Sequence, residues 1–291
     1  MTGGGGEMMT GKRRLSHITA SVPYILLTMG LFIMVTPMIY MVSTSLRPNA
    51  LAFSYPPRIL PLISEITSEN YLYVLFRGNF FRYLGNTLFV AAIFTAASTL
   101  IASMMAFCMS RFHFPGRKFL FGAIITIMLI PGLAMLVPQF ELAVTLGLVN
   151  SLFGVILFLI AWTIPFSTFL MKGYIDGLPR EMDEAVYIDG GTVFTIYKNI
   201  ILPLSSPSLA AVSIFNFLFA FEELGWSQTI LRSENIRTLP VAITAFFQAN
   251  NRTSWGYVFA MTCFAMIPVI IIYISLQRYF ISGLSTGAVK G

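Results

Sequence analysis

The chain has 291 residues, 56% of them hydrophobic and 10% charged, where an ordinary soluble domain carries about 25% charged residues. That balance excludes a water-soluble globule and equally a disordered chain, which needs low hydrophobicity and high charge. The net charge of +6 is scattered between apolar runs, which excludes a nucleic-acid footprint, and the cysteines, Cys108 and Cys263, are too few for a disulfide scaffold or a four-ligand zinc site.

Residues 1–20, Gly-rich and then basic, read as a loose tail on the cytoplasmic side. Within it Gly6, Gly11 and Lys12 match the spacing of a phosphate-binding loop, but Arg13 stands where the magnesium-binding Ser or Thr belongs and no apolar strand precedes it. No nucleotide site is therefore expected on this chain. Six stretches free of Asp, Glu, Lys and Arg follow: Ser21 to Leu46, Leu84 to Ser110, Phe119 to Val137, Ser151 to Met171, Leu204 to Phe221 and Thr253 to Gln277. A helix needs roughly 20 apolar residues to cross a bilayer core, so the predicted fold is an all-α integral membrane protein of six transmembrane helices over residues 21–281. The first stretch is too long for a signal-peptide core and reads as a retained span. Pro23, Pro37, Pro131, Pro165 and Pro268 fall in these stretches and are expected to mark bends.

Basic residues favour the cytoplasmic side. With the N-terminus inside, Lys12, Arg13, Arg14, Arg111, Arg117, Lys118, Lys172, Arg180, Lys198, Arg278 and Lys290 are cytoplasmic, eleven of the 18. The other seven, Arg47, Arg58, Arg77, Arg82, Arg232, Arg237 and Arg252, fall in external loops 47–83 and 222–252. Both termini are thus expected inside. His17 and His113 are far apart and flank basic residues, so they read as interfacial or loop histidines.

Residues 172–203 form the most acidic stretch, with Asp176, Glu181, Asp183, Glu184 and Asp189. Pro179 suits a first helical turn, the acids that follow suit the positive end of its dipole, and Gly190 and Gly191 suit its end. Thr192 is placed to cap a second helix through Phe194, Ile196, Tyr197 and Ile200, interrupted or kinked at Pro203. Composition leaves two readings open, a surface hairpin that links two spans and a compact interaction knob.

The spacing adds to this. Glu184, Ala185, Val186, then Asp189 and Gly190, then Ile200, Leu202 and Pro203 reproduce E-A-A-x3-G-x9-I-x-L-P with Val186 in place of the second alanine. This resembles the EAA loop of ABC importer permeases. The resemblance implies a coupling helix that docks in a cleft of a cytoplasmic ATPase dimer, with the bulk of Val186 shifting the fit slightly. Pro56-Pro57 through Tyr71, Arg111 to Lys118, Thr238-Leu239-Pro240, Trp255-Gly256 and the ending Gly287, Ala288, Val289, Lys290, Gly291 resemble the carbohydrate branch of the family. In that branch the C-terminal tail, here 282–291, reaches the ATPase interface.

The implied function is the permease subunit of an ATP-driven importer of a sugar or oligosaccharide in a bacterial inner membrane. The implied partners are a second homologous permease, the ATPase dimer, a periplasmic or lipid-anchored solute-binding protein and membrane lipid, with no nucleic acid. ATP and magnesium belong to the ATPase, and this chain is not expected to be an enzyme or to hold a cofactor or metal. For the substrate path, Glu223 is a candidate as an ionisable residue near membrane depth. Its alternatives are contact with interfacial water or a pair with an arginine such as Arg232. Trp162, Phe166, Asn216, Phe219 and Gln139 are candidates as aromatic faces beside hydrogen-bonding groups, although lipid-facing and packed aromatics are commoner. A non-sugar solute such as glycerol phosphate or a polyamine, and an ion-gradient-driven transporter, are the alternatives.

Overall fold

A computed structural model describes residues 6–53, 55, 58–248 and 254–288, with side chains described for 23–246 within those ranges and for 254–275. Among the described residues every regular element is helical: α1 (Gly6–Ser45), α2 (Glu69–Phe76), α3 (Phe80–Arg111), α4 (Arg117–Ile127), α5 (Leu136–Thr145), α6 (Leu152–Ile175), α7 (Glu181–Ile188), α8 (Val193–Ile196), α9 (Leu202–Leu204), α10 (Ser206–Glu222), α11 (Gly225–Ile230), α12 (Leu239–Gln248) and α13 (Trp255–Ala288).

Four helical segments are long and apolar enough to cross a membrane: Pro23–Ser45, Phe80–Arg111, Leu152–Ile175 and Trp255–Ser275. Two more crossings are obtained if each of two bent pairs counts as one span, giving up to 6. The first pair, Arg117–Ile127 with Gly132–Thr145, bends by 96°, and the second, Val193–Leu204 with Ser206–Glu222, by 75°. Pro131 opens the 3-10 turn Gly132–Met135 at the first break, as its missing N–H and ring clash dictate. Pro23, Pro37, Pro165 and Pro268, expected to mark bends, lie inside helices that run on without interruption, because neighbouring groups in a membrane helix can satisfy the freed carbonyls.

The ends differ from expectation as well. The stretch read as a loose N-terminal tail is helical from Gly6, where Met8, Met9, Lys12, Arg13, Arg14 and Leu15 are good helix formers and outweigh the glycines. The stretch 282–288, read as a flexible tail, continues α13, since its glycines are interspersed with Leu284 and Ala288.

The chain divides into two compact units, Met1–Val74 with Ser254–Cys263 and Leu75–Thr253 with Phe264–Gly291. In the first, Asn70 is 1% exposed and donates to the carbonyls of Ser45 at 2.8 Å and Arg47 at 2.6 Å, ending α1 against α2. Gly256 admits this loop: a Cβ there would lie 2.6 Å from Asn70 Nδ2 and 2.8 Å from Asn49 Oδ1. The most apolar 18-residue window of α1 is 0% buried within the chain.

In the second unit α3, α6 and α10 pack together. One half of the core is apolar, with Val90, Ala91 and Phe94 against Val155, Phe158, Leu159 and Ala220. Across its middle runs a polar seam: Ser98 and Thr163 hydroxyls are 2.8 Å apart, Ser167 donates to Asn216 Oδ1 at 3.2 Å, and Asn216 Nδ2 donates to Ser98 and Thr99 at 3.4 and 3.3 Å. Small and hydroxyl side chains let membrane helices approach closely and bond across the interface. A second apolar cluster below it joins Ala106, Phe107, Met171 and Ile175 to Ile196, Tyr197, Ile201 and Val212.

Candidate functional site

The acidic stretch folds as two helices joined by a glycine turn. Glu181, Asp183 and Glu184 occupy the first turn of α7, where the helix dipole favours negative charge. Gly190 has φ of +80° and Gly191 N–H donates to Val186 O at 2.8 Å, the left-handed turn that glycine makes at little cost. Thr192 and Thr195 form a reciprocal cap that opens α8. Here the structure adds what the sequence did not show: α8 passes into a π-helical segment, Tyr197–Ile201, before α9. Such segments are rare and frequently stand at functional sites.

Glu184, Ala185, Asp189 and Gly190 are exposed on this knob, with Pro203 also exposed at the far end of the motif. Ile200 and Leu202 are half-buried, and Leu202 packs on the lower apolar cluster. Val186 packs there too, and a Cβ on Gly191 would lie 2.4 Å from its Cγ1. The extra bulk of Val186 is therefore turned inward, not onto the exposed face. Beside the exposed motif residues stand bare apolar side chains, Ile188 at 86% and Phe194 at 65% exposure, with Met182 and Tyr187 near them in sequence.

Asp183, absent from the sequence candidates, is 9% exposed, and its Oδ2 lies 2.7 Å from Arg111 Nε at the end of α3. The pair meets the distance of an ion pair but is not aligned as a hydrogen bond, and Asp183 Oδ1 has no hydrogen-bond partner. Burial pushes the Asp183 carboxyl above its usual value, more than Arg111 and Arg180 lower it, with Glu184 raising it further. Folding thus favours the protonated form. Any stability from this titration is present below pH ~4, the range of an unfolded aspartate, and is lost as pH rises through the raised value.

Trp162, Phe219, Glu223 and Gln139 come together around a cavity of about 300 Å³, also walled by Leu136, Phe158 and Trp226. Gln139 and Trp162 line a second cavity of about 350 Å³ as well, with Met135 and Phe166. The indole of Trp162 lies over Gly132 at the 96° break: a Cβ there would be 2.2 Å from Cη2. Asn216 is not part of either lining. It is 2% exposed and spent on the polar seam, since a buried amide must find partners. Glu223 lines the first of these cavities and is half-buried. Oε1 accepts from Trp226 N–H at 2.6 Å, and Oε2 from Ser227 N–H at 2.9 Å and its hydroxyl at 2.5 Å, so the carboxylate caps α11. Of the C-terminal candidates, Gly287 and Ala288 lie on the backbone of α13, and Val289, Lys290 and Gly291 fall outside the described residues.

The family model described as binding-protein-dependent transport system inner membrane component matches residues 98–286. The galactooligosaccharides transport system permease protein GanQ of Bacillus subtilis is 33% identical, over 98% of this chain and 100% of its own length. The arabinooligosaccharides transport system permease protein AraQ of Halalkalibacterium halodurans is 32% identical over 91% and 96%. The trehalose/maltose transport system permease protein MalG of Thermococcus litoralis is 32% identical over 92% and 97%. Among solved structures, a chain of a bacterial ABC transporter involved in the import of the acidic polysaccharide alginate has a TM-score of 0.78 at 24% identity, covering 92% of this chain and 98% of that one, a likeness of fold.

Proposed function

This chain belongs to the inner membrane components of binding-protein-dependent transport systems, and we propose that within such a system it is the permease subunit for a sugar or oligosaccharide. The relatives that support this reading are named for galacto- and arabinooligosaccharides and for trehalose and maltose, at 32–33% identity over nearly the whole chain. In this reading the two bent pairs complete six crossings with both termini in the cytoplasm. The partners are a second permease, a cytoplasmic ATPase dimer that holds ATP and magnesium, and a solute-binding protein outside.

The observation that carries the coupling role is the knob. Exposed Glu181 and Glu184 in the first turn of α7, beside bare Ile188 and Phe194, offer charge and apolar area together, as a helix-in-groove contact requires. Glu184, Ala185, Asp189 and Gly190 present the close-approach face, while Val186, Ile200, Leu202 and Pro203 shape and anchor it. ATP-driven closure of the ATPase dimer moves this knob and switches the bundle between inward- and outward-facing states, which requires that docking differ in strength between them. Trp162, Phe219 and Gln139 then wall the translocation path, with Glu223 holding α11 in place beside it.

Purification of the tagged chain with its ATPase and sister permease, reconstituted with the solute-binding protein, tests the reading. ATP hydrolysis is expected to rise with one of the arabino-, galacto- or malto-oligosaccharides. Stimulation only by a phosphate ester or polyamine would move the substrate class, and a chain that copurifies with no ATPase would remove the coupling role. Deletion of residues 285–291 is expected to weaken uptake while leaving the spans inserted, and normal uptake by that truncation would reject a role for Gly287, Ala288, Val289, Lys290 and Gly291 at the ATPase.

A further inference from the structure

The knob is fastened sideways to α3 as well as along the chain to α10. Arg111 Nε lies 2.7 Å from Asp183 Oδ2, with side chains 7% and 12% exposed. Arg111 Nη2 also donates to Leu178 O at 3.2 Å, and Arg180 Nη2 donates back to Ser110 O at 3.1 Å. One step deeper, the Tyr197 and Ser103 hydroxyls are 2.6 Å apart and the rings of Phe107 and Tyr197 have centroids 5.4 Å apart. Every one of these contacts joins the segment 178–197 to α3. The covalent route to α10, by contrast, runs through the π segment Tyr197–Ile201 and then turns 75° at Ser205. An irregular turn inside a helical run often marks a functional site or a hinge.

An ion pair withdrawn from water is screened little by salt, and pulling it apart leaves two uncompensated charges in a poor solvent. It therefore resists separation even where it adds little to net stability.

We propose that Arg111 and Asp183 are positioning residues through which displacement of the knob is delivered to α3, so that knob and α3 move as one body while the connection into α10 is the hinge. The proposal rests on the reading that the knob docks on the ATPase. Neither residue touches substrate; each acts through the placement of the other's helix.

The test uses the assembled transporter. Arg111→Gln and Asp183→Asn are compared with the exchanged pair Arg111→Asp with Asp183→Arg. A third variant, Arg111→Cys with Asp183→Cys in a Cys108→Ser, Cys263→Ser background, is assayed before and after a short bis-thiol bridge. Every variant is expected to copurify with the ATPase and hydrolyse ATP at the basal rate. The single variants and the unbridged cysteine pair are expected to lose about tenfold or more in uptake, inside the ordinary range of coupling free energies, together with the stimulation by loaded binding protein. The exchanged pair and the bridge are expected to restore both, a rescue that loss of folding would not show. Wild-type uptake in the single variants would overturn the proposal, as would failure of both exchange and bridge in an assembled complex. Loss of the ATPase from the variants alone would assign the pair to docking instead of transmission. If the wild-type chain itself brought down no ATPase, the docking reading would fall and this inference with it.

Discussion

Ile188→Glu with Phe194→Glu is expected to separate the chain from the ATPase proposed to dock on the knob while leaving it folded in the membrane. Both side chains are bare, at 86% and 65% exposure, so a charge there costs the isolated chain little, whereas in a docked groove each would bury an unpaired carboxylate. A truncated or charged anchor at the centre of an interface typically loses about 2 kcal/mol or more, roughly thirtyfold in affinity. Two such losses should empty the complex at ordinary concentrations. Copurification of the ATPase with the double variant, set against membrane insertion and thermal stability in detergent, measures this, and undiminished copurification would show that the knob presents another face.

Gly132→Ala is expected to be nearly as damaging at the other end of the path. Its Cβ would stand 2.2 Å from Cη2 and 2.5 Å from Cζ3 of Trp162, so either the indole leaves or the 96° break opens. Forced overpacking of this kind costs about 1–3 kcal/mol of stability, and displacing the wall that the two cavities share should cut uptake. The same move would shift the fluorescence of Trp162. Adding Trp162→Ala to Gly132→Ala relieves the collision, and the pair should recover stability without recovering transport. An unperturbed emission spectrum together with wild-type uptake in Gly132→Ala would mean that the ring does not rest there.

Much of this molecule can be read from local chemistry. Charge-free runs long enough to cross a bilayer announce the long helices α3 and α6, and Gly190 followed by Thr192 announces a turn and a restart at the positions where the structure has them. Proline alone does not tell where a helix breaks, because the outcome depends on neighbours: Pro131 opens a break where Gly132 gives way beneath Trp162, while Pro165 sits in an unbroken α6. The cap made by Glu223 has a local signal: the amides it accepts from stand three and four residues later, the reach of a helix cap. The Arg111–Asp183 pair had no local signal at all, since each residue alone is an ordinary charge at a helix end and only packing brings them together. The bonds of Asn216 had no local signal either, its amide being absorbed by hydroxyls on two other helices.

That seam of hydroxyls and one amide bears on how the chain is made. A serine or threonine entering hydrocarbon can fold its hydroxyl back on its own helix, as Thr163 does to Leu159 O at 3.1 Å and Ser103 to Leu100 O at 2.7 Å. Such a hydroxyl can therefore enter lipid with its donor satisfied inside its own helix. Asn216 has a larger debt to hydration, and its bonds run to Ser98, Thr99 and Ser167. All three precede it in the order of translation. When the ribosome delivers α10, the acceptors and donors that its amide needs are already threaded into the bilayer, so the last helix of this trio enters as a piece fitted to a finished slot.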